Sequence, residues 1–325
     1  MKKILWIWVI SGLVFCACTR SPAFRREDDF GPESSAGSAT GGSGSAYYNR
    51  SEGGHNDPVS LKKRVVILDF WNDSPSKQFN FGGYLADELK RNLSLTQKVV
   101  LPDQEIRSGM VTEDFLQGDK VRVAQLMVEG RRLGVALVVI GKITKITFRQ
   151  KGDDVGLLRS KKSTAAIEVE AKFFDVQGGR EIMAVTRRGN ALVSNLIATD
   201  ESGVEDSPFR IELIQSALRE TAPDLTQDIL RSLDKINWQG RIAKAIGPKI
   251  YISAGKASGL VKGDILKVMT SGEDIFDPLS NAYLGRSQGK LKGTLEIVDF
   301  MGLDGAVTET HTGGGFKEGD IVELY

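Results

Sequence analysis

The sequence predicts an α/β protein, in which a mixed-sheet layer domain is followed by a small all-β barrel or sandwich. Three observations carry this. Apolar runs at Val65 to Phe70, interrupted only by Asp69, and at Ala136 to Ile140 read as strands covered on both faces. Apolar residues spaced three and four apart mark helices between and after them. Beyond Trp238 the texture changes to short strands and frequent glycines, as in a compact β module. The expected organisation is a signal segment at 1–17, a tether at 18–60, the α/β domain at 61–236 and the β domain at 237–325.

The first strand, Val65-Val66-Ile67-Leu68-Asp69-Phe70, follows Lys62-Lys63-Arg64. A helix comes next, with Leu85, Leu89 and Leu93 on one face at spacing four. Asp119 to Leu133 predicts a second helix with an apolar stripe of Val121, Ala124, Val128 and Leu133. Ala136-Leu137-Val138-Val139-Ile140-Gly141 then supplies a central strand. In Ala166 to Phe174, Ile167, Val169, Ala171 and Phe173 alternate with Glu168, Glu170 and Lys172; with Glu181 to Val185 after Gly178-Gly179 this predicts a hairpin. Ser207-Pro208 is an N-cap and first-turn proline for a long helix, whose face runs Ile211, Ile214, Leu218, Ala222, Leu225, Ile229 and Leu233. Pro223 predicts a kink or a break within it.

In the last region Gly259-Leu260-Val261-Lys262-Gly263-Asp264-Ile265 recurs as Gly315-Phe316-Lys317-Glu318-Gly319-Asp320-Ile321. Each copy reads as a turn feeding a strand: glycine supplies the backbone angles, aspartate caps the turn and isoleucine starts the strand. Two similar halves are therefore expected, with a further turn at Asp277-Pro278. Neither copy carries the Lys-Ser/Thr of a phosphate loop. Gly285 to Gly289-Lys290 is one residue too short for such a loop and continues into Leu291.

The N-terminus sets the compartment. Lys2 and Lys3 precede an apolar run from Ile4 to Phe15, followed by Cys16, Ala17 and Cys18. About a dozen residues suffice for a signal-peptide core and fall short of the roughly 20 that span a bilayer. Cleavage needs a small residue before the cut, which Ala17 provides for Cys18 and Phe15 does not for Cys16. The remaining alternative is an ordinary signal peptide with a stray cysteine. Loss of Lys2 and Lys3 takes the formal charge from +1 to −1, which implies no attraction to nucleic acid. Of the two cysteines Cys16 is lost, so no internal disulfide is expected. From Thr19 to Ser60 the chain is rich in Gly, Ser, Ala and charged residues, a flexible tether spanning roughly 35–40 Å root-mean-square.

The segment ending at Cys18 resembles the lipobox of bacterial lipoproteins, with Phe15 where leucine is usual. The resemblance implies Cys18 diacylated on sulfur and acylated on its amine. Thr19 in place of aspartate implies the outer membrane, periplasmic face, as the site of the anchor. The first domain resembles the family of the curli-secretion lipoprotein CsgG, whose fold is shared with the peptidoglycan-synthase activator LpoB and the N-terminal domain of TolB. Val65 to Phe70, Leu133-Gly134-Val135-Ala136 through Ile143, and Phe174-Asp175-Val176-Gln177-Gly178-Gly179 carry the likeness. Val135-Ala136 replaces the usual Ala-Asp, and Gly178-Gly179-Arg180 the usual Thr-Gly-Glu. The last domain resembles the C-terminal domain of the flagellar assembly protein FlgT, through Lys249 to Ile252, Gly259 to Ile265, Asp277-Pro278 through Gly285, and Gly315 to Asp320. Ser280-Asn281-Ala282 stands for the usual Thr-Gly-Glu, and Asn281 tolerates the left-handed position that glycine would hold.

The resemblance raises an export channel for curli-type fibre subunits, in which hairpins enter the membrane. The candidate hairpins, Arg149 to Lys162 and Met183 to Ala198, are poor in apolar alternation; the first is dense in charge and the second is interrupted by Arg187 and Arg188. An enzyme has little support: His55 lies in the tether and His311 in a Thr-Gly-rich segment, and Asp69 and Asp175 sit where carboxylates cap turns. No cofactor and no metal is expected. The expected function is a non-catalytic scaffold or assembly factor, with partners among flagellar, peptidoglycan-synthesis or fibre-export components and a homo-oligomer left open. Tyr47 and Tyr48 in the tether are candidate contact points.

Overall fold

The structure, a computed structural model, describes residues 61–75, 79–102, 110–118, 120–152, 161–195 and 208–325. The signal segment, the tether with Tyr47, Tyr48 and His55, the Ser207 cap and the middle of the Arg149–Lys162 segment lie outside them.

The first module is a six-stranded mixed sheet. β1 (Lys63–Ile67) pairs in parallel with β3 (Val99–Val100) on one side and with β6 (Leu137–Gly152) on the other. β2 (Trp71–Asn72) also runs parallel to β6, while β7 (Lys161–Asp175) and β8 (Arg180–Asn195) continue the sheet antiparallel. Apolar runs without alternation are explained by two cores. Val65, Ile67, Leu137 and Val139 face one core, and Val66, Leu68, Val138 and Ile140 the other.

Helix α1 (Phe81–Thr96) packs on the first face through Leu85, Leu89 and Leu93, all fully buried, with Asn80 Oδ1 accepting from the Gly83 N–H at 2.8 Å as its N-cap. Helix α2 (Val123–Arg132) covers the second face, but with another side than the expected stripe. Leu126, Met127 and Gly130 are buried and Val128 is 56% exposed. The helix also starts later than Asp119 implied. Leu116–Gln117 (β4) and Lys120–Val121 (β5) form a short hairpin through Gly118, whose φ is +61°. Val121 therefore belongs to a strand, and a stripe counted from it selects the wrong helical face.

Helix α3 (Pro208–Leu233) runs on past Pro223 without a break, which corrects half of that expectation. Proline removes one N–H donor to the Arg219 carbonyl. The buried series Leu213, Ile214, Leu218, Ala222, Leu225 and Ile229 lies on both sides of it and holds the helix to the sheet. The hairpin strands extend far beyond the expected Glu181 to Val185, and α3 explains how. On β8, Val185, Arg187, Gly189, Ala191 and Val193 face α3, whereas Ala184, Thr186, Arg188, Asn190 and Leu192 are exposed. The outer face carries the cross-strand ion pairs Arg188–Glu168 and Lys142–Glu170. Arg187 and Arg188 thus point to opposite faces.

The second module is a closed six-stranded antiparallel barrel, not a sandwich. Its strands are β9 (Gly240–Ile246), β10 (Lys249–Ile252), β11 (Ile265–Met269), β14 (Leu291–Met301), β15 (Gly305–Gly313) and β16 (Ile321–Leu324), in the circular order β10-β15-β14-β11-β16-β9. Its core holds Trp238, Ile242, Ile252, Leu266, Val268, Leu295, Ile297 and Val322. The repeated heptads become equivalent turns. Asp264 Oδ2 accepts from the Val261 N–H at 2.9 Å and Asp320 Oδ2 from the Lys317 N–H at 2.7 Å. Gly263 donates to the Ile297 carbonyl at 2.8 Å, as Gly319 does to that of Ile242 at 2.9 Å. Lys267 and Glu323, each two residues past the Ile that opens its strand, are registered opposite each other and ion-paired at 2.8 Å. The register is symmetric about that pair, with Leu266 opposite Leu324 and Val268 opposite Val322.

The two turn aspartates are not energetically equal. Asp320 is buried and also meets Lys292 Nζ at 2.5 Å, whereas the Asp264 bond to Val261 lies at the surface. Asp264→Ala is expected to cost about 1 kcal/mol and Asp320→Ala about 3 kcal/mol, because the latter leaves an ammonium without its carboxylate. Urea denaturation of the two variants checks the order. Equal losses would show that the lysine adds nothing.

Candidate functional site: the junction between the modules

The two modules are fastened at the first of the described residues. Leu61 is 5% exposed and packs in the barrel core, and the Lys62 N–H donates to the Ser258 carbonyl at 2.9 Å. Four residues past Leu61, Val65 is in the sheet core. Within the first module, Lys63 Nζ donates to the Leu233 carbonyl at 2.7 Å and caps the C-terminus of α3. Burial pushes the Lys63 ammonium below its ordinary pKa, and Asp234 opposes this.

Helix α2 is the hub of the contact. Its C-terminal carbonyls receive guanidinium groups from both modules: Arg64 of β1 donates to Leu133 O at 3.4 Å, and Arg241 of β9 donates to Arg132 O at 3.1 Å. Cations at a helix C-terminus are stabilised by its partial negative charge. Burial, then the neighbouring Arg64, pushes the Arg241 pKa down. Arg64 also meets Asp304 of the barrel at 3.6 Å.

A hairpin inserted between the barrel halves makes the second clasp. Its strands are β12 (Asp274–Phe276) and β13 (Tyr283–Arg286). Arg131 of α2 pairs with Asp274 at 2.7 Å, and the Tyr283 hydroxyl donates to the same carboxylate at 3.1 Å. Arg131 Nη1 lies 3.5 Å from the Tyr283 oxygen and 3.4 Å from Val176 O. Burial raises the Tyr283 pKa first, with Arg131 opposing it. At the hairpin tip Asp277 accepts from the Ser280 N–H, the Ser280 hydroxyl and the Leu279 N–H at 2.7–3.0 Å. These bonds, that of the Ser280 N–H foremost, hold its carboxyl below the usual range. Asn281 takes the left-handed conformation expected of it, at φ +54°. Leu279 at this braced tip is 97% exposed.

Asp175 caps its turn, accepting from the N–H groups of Gln177 and Gly178 at 3.1 and 3.0 Å. Asp69 is exposed, and its carbonyl accepts from Thr112 Oγ1 at 2.6 Å. His311 stands on the exposed side of β15. Gly285 lies in β13, and the Lys290 N–H donates to Thr270 Oγ1, so this stretch belongs to strands and turns. Cys18 lies outside the described residues, as does His55. An open cavity of about 460 Å³ beside α2 is lined by Glu113, Asp114, Glu129 and Arg122 among others. Among the described residues no group of His, Cys, Asp and Glu is arranged to hold a metal, and no helix is long and apolar enough to cross a membrane. Sequence reasoning missed Arg131, Arg241 and Leu61 as fasteners. An arginine run at the end of a helix was the one local signal for the first of them.

No protein-family model matches the chain, and no curated protein matches it. Solved structures that superpose on part of it include bacterial lipoproteins. A hypothetical protein from Chlamydia trachomatis is 16% identical at a TM-score of 0.33, with 53% of this chain and 96% of the other covered. Lipoprotein GNA1162 from Neisseria meningitidis is 12% identical at a TM-score of 0.27, covering 53% and 99%. The LpoB C-terminal domain from Salmonella enterica is 12% identical at a TM-score of 0.26, covering 41% and 85%. At such overlaps none of them assigns an activity to this chain.

Proposed function

We propose that the chain is a lipoprotein anchored through Cys18 at the periplasmic face of the outer membrane, acting without catalysis as a scaffold or assembly factor for a cell-envelope machine, flagellar or cell-wall related. The observation that carries the reading is the N-terminal order of charged residues, apolar run and Ala17-Cys18, followed by a Gly/Ser-rich tether that leads into the pinned Leu61. More than one acyl chain holds such a protein firmly. The β6–β8 sheet supports a body that stays in water. Among the described residues one face is covered by α3, and the other is covered by α2 at the Leu137 end of β6 and bears paired charges beyond it, so neither offers the apolar band a bilayer-spanning strand requires.

Mass spectrometry of the mature N-terminal peptide is expected to find Cys18 acylated, and Cys18→Ser to move the protein from the membrane to the soluble fraction. An unacylated terminus, or a body that resists extraction after the tether is cut, overturns the anchor. Conductance steps in planar bilayers overturn the non-pore part. A pull-down from membranes with the anchor intact then identifies the machine.

A further inference from the structure

The barrel carries an apolar and basic patch beside the point where the tether joins the body. Two adjacent turns build it. The turn at the start of β15 and the loop before β11 are tied by the Ala257 N–H donating to the Leu303 carbonyl at 2.9 Å. Leu303 is 70% exposed, Met301 59% and Val261 41%, each at or beside one of these turns. Lysines flank them. Lys256 Nζ lies 5.3 Å from the centre of the Phe300 ring, and Lys262 reaches Asp299 at 2.7 Å. Lys62, the residue after the pinned Leu61, is held by its backbone to Ser258 in the same loop. With Arg64 at Asp304, four cations in this region stand against the three carboxylates Asp264, Asp299 and Asp304.

From this arrangement we infer that the patch is a membrane-facing surface, which settles the body onto anionic phospholipid. The inference rests on the lipid-anchor reading. Apolar side chains ringed by lysines match the boundary between acyl chains and anionic headgroups. Position selects a membrane over a protein partner. The patch adjoins the chain end that leads, through about 42 residues, to the acylated cysteine, which sets a root-mean-square separation of roughly 35–40 Å from the anchor. Contact is then intramolecular, and a surface too weak to bind free vesicles suffices. The braced hairpin tip at Leu279 has matching exposure, but Asp277 is the charged residue beside it in the chain and no lysine lies between Glu273 and Arg286.

The test uses the full-length acylated protein with one environment-sensitive label, at Leu303→Cys or at Leu279→Cys. It is reconstituted on brominated phosphatidylcholine vesicles with and without phosphatidylglycerol. Quenching of the Leu303→Cys label is expected on the anionic vesicles only, with none at Leu279→Cys. Lys256→Glu with Lys262→Glu, or raised salt, is expected to abolish the quenching while the protein still floats with the vesicles. A floating protein whose Leu303→Cys label is unquenched, or whose two labels are quenched alike, overturns the surface and leaves the anchor standing. Quenching equal on both lipid compositions overturns the role given to the lysines. A protein that fails to float removes the anchor, and the inference with it.

Discussion

Arg187→Leu is expected to lower the free energy of unfolding by about 3 kcal/mol, measured by urea denaturation. Asp228 on α3 is 1% exposed, and Arg187 on β8 meets it with two parallel bonds, Nε to Oδ2 and Nη2 to Oδ1, both 2.7 Å. Hydrogen bonding to Asp228 is also the main cause that raises the Arg187 pKa. Removing the guanidinium leaves a carboxylate in a dry site, where, among the described residues, the other cation is Arg231, at 3.6 Å and from a side chain 63% exposed to screening water. That residual partner places the expected loss at the low end for broken buried pairs. Replacing both partners tests the cause. Arg187→Leu with Asp228→Leu is expected to return to within about 1 kcal/mol of the starting protein, since an apolar pair carries no desolvation penalty. Additive losses in the double variant would mean that packing, and not the stranded charge, sets the effect.

Gly189→Val is the second large change, with an expected loss of about 3 kcal/mol or more from overpacking. A Cβ at Gly189 would collide with the Ala217 carbonyl oxygen and with Thr221 Oγ1 of α3. The helix backbone rests directly on β8 at that point, and the collision is with main chain, which cannot rotate away. Gly189→Ala is expected to show a smaller loss of the same sign. Gly314→Ala serves as the control, because it is exposed and a Cβ there meets nothing within 4 Å. Thermal denaturation of the three variants checks the order. A neutral Gly189→Ala would show that α3 lifts easily from the sheet, and would weaken the argument that this helix keeps the hairpin strands in water.

These two sites show which parts of the molecule a one-dimensional reading reaches. Leu85, Leu89 and Leu93 were legible because an isolated helical face repeats at a spacing visible in the chain, and Ile167, Val169, Ala171 and Phe173 because a sheet with one wet face alternates. The repeated Gly-Asp-Ile turns were legible for the same reason, since each closes within its own seven residues. Helix α2 was legible in existence but not in phase, because a short turn at Gly118 shifted the origin of the count. Pro223 was read by its intrinsic effect on a helix, which packing on both sides of it overrides. Of the fasteners, Arg241 and Asp274 gave no functional signal, since each is an ordinary charged residue until its partner is known.

Alone, the sequence determined the elements whose causes are local: the apolar runs of β1 and β6, the leucine face of α1, the alternation of β7 and the paired turns of the last module. Tertiary structure alone decided that those last strands close into a barrel, that Arg187 turns inward to a residue 41 positions away, and that Leu61 crosses to the barrel core just before β1 enters the sheet. The physical reason is range. Periodicity and turn chemistry act over a few residues, while closure, ion pairing and interface burial depend on groups that become neighbours only after the chain has folded.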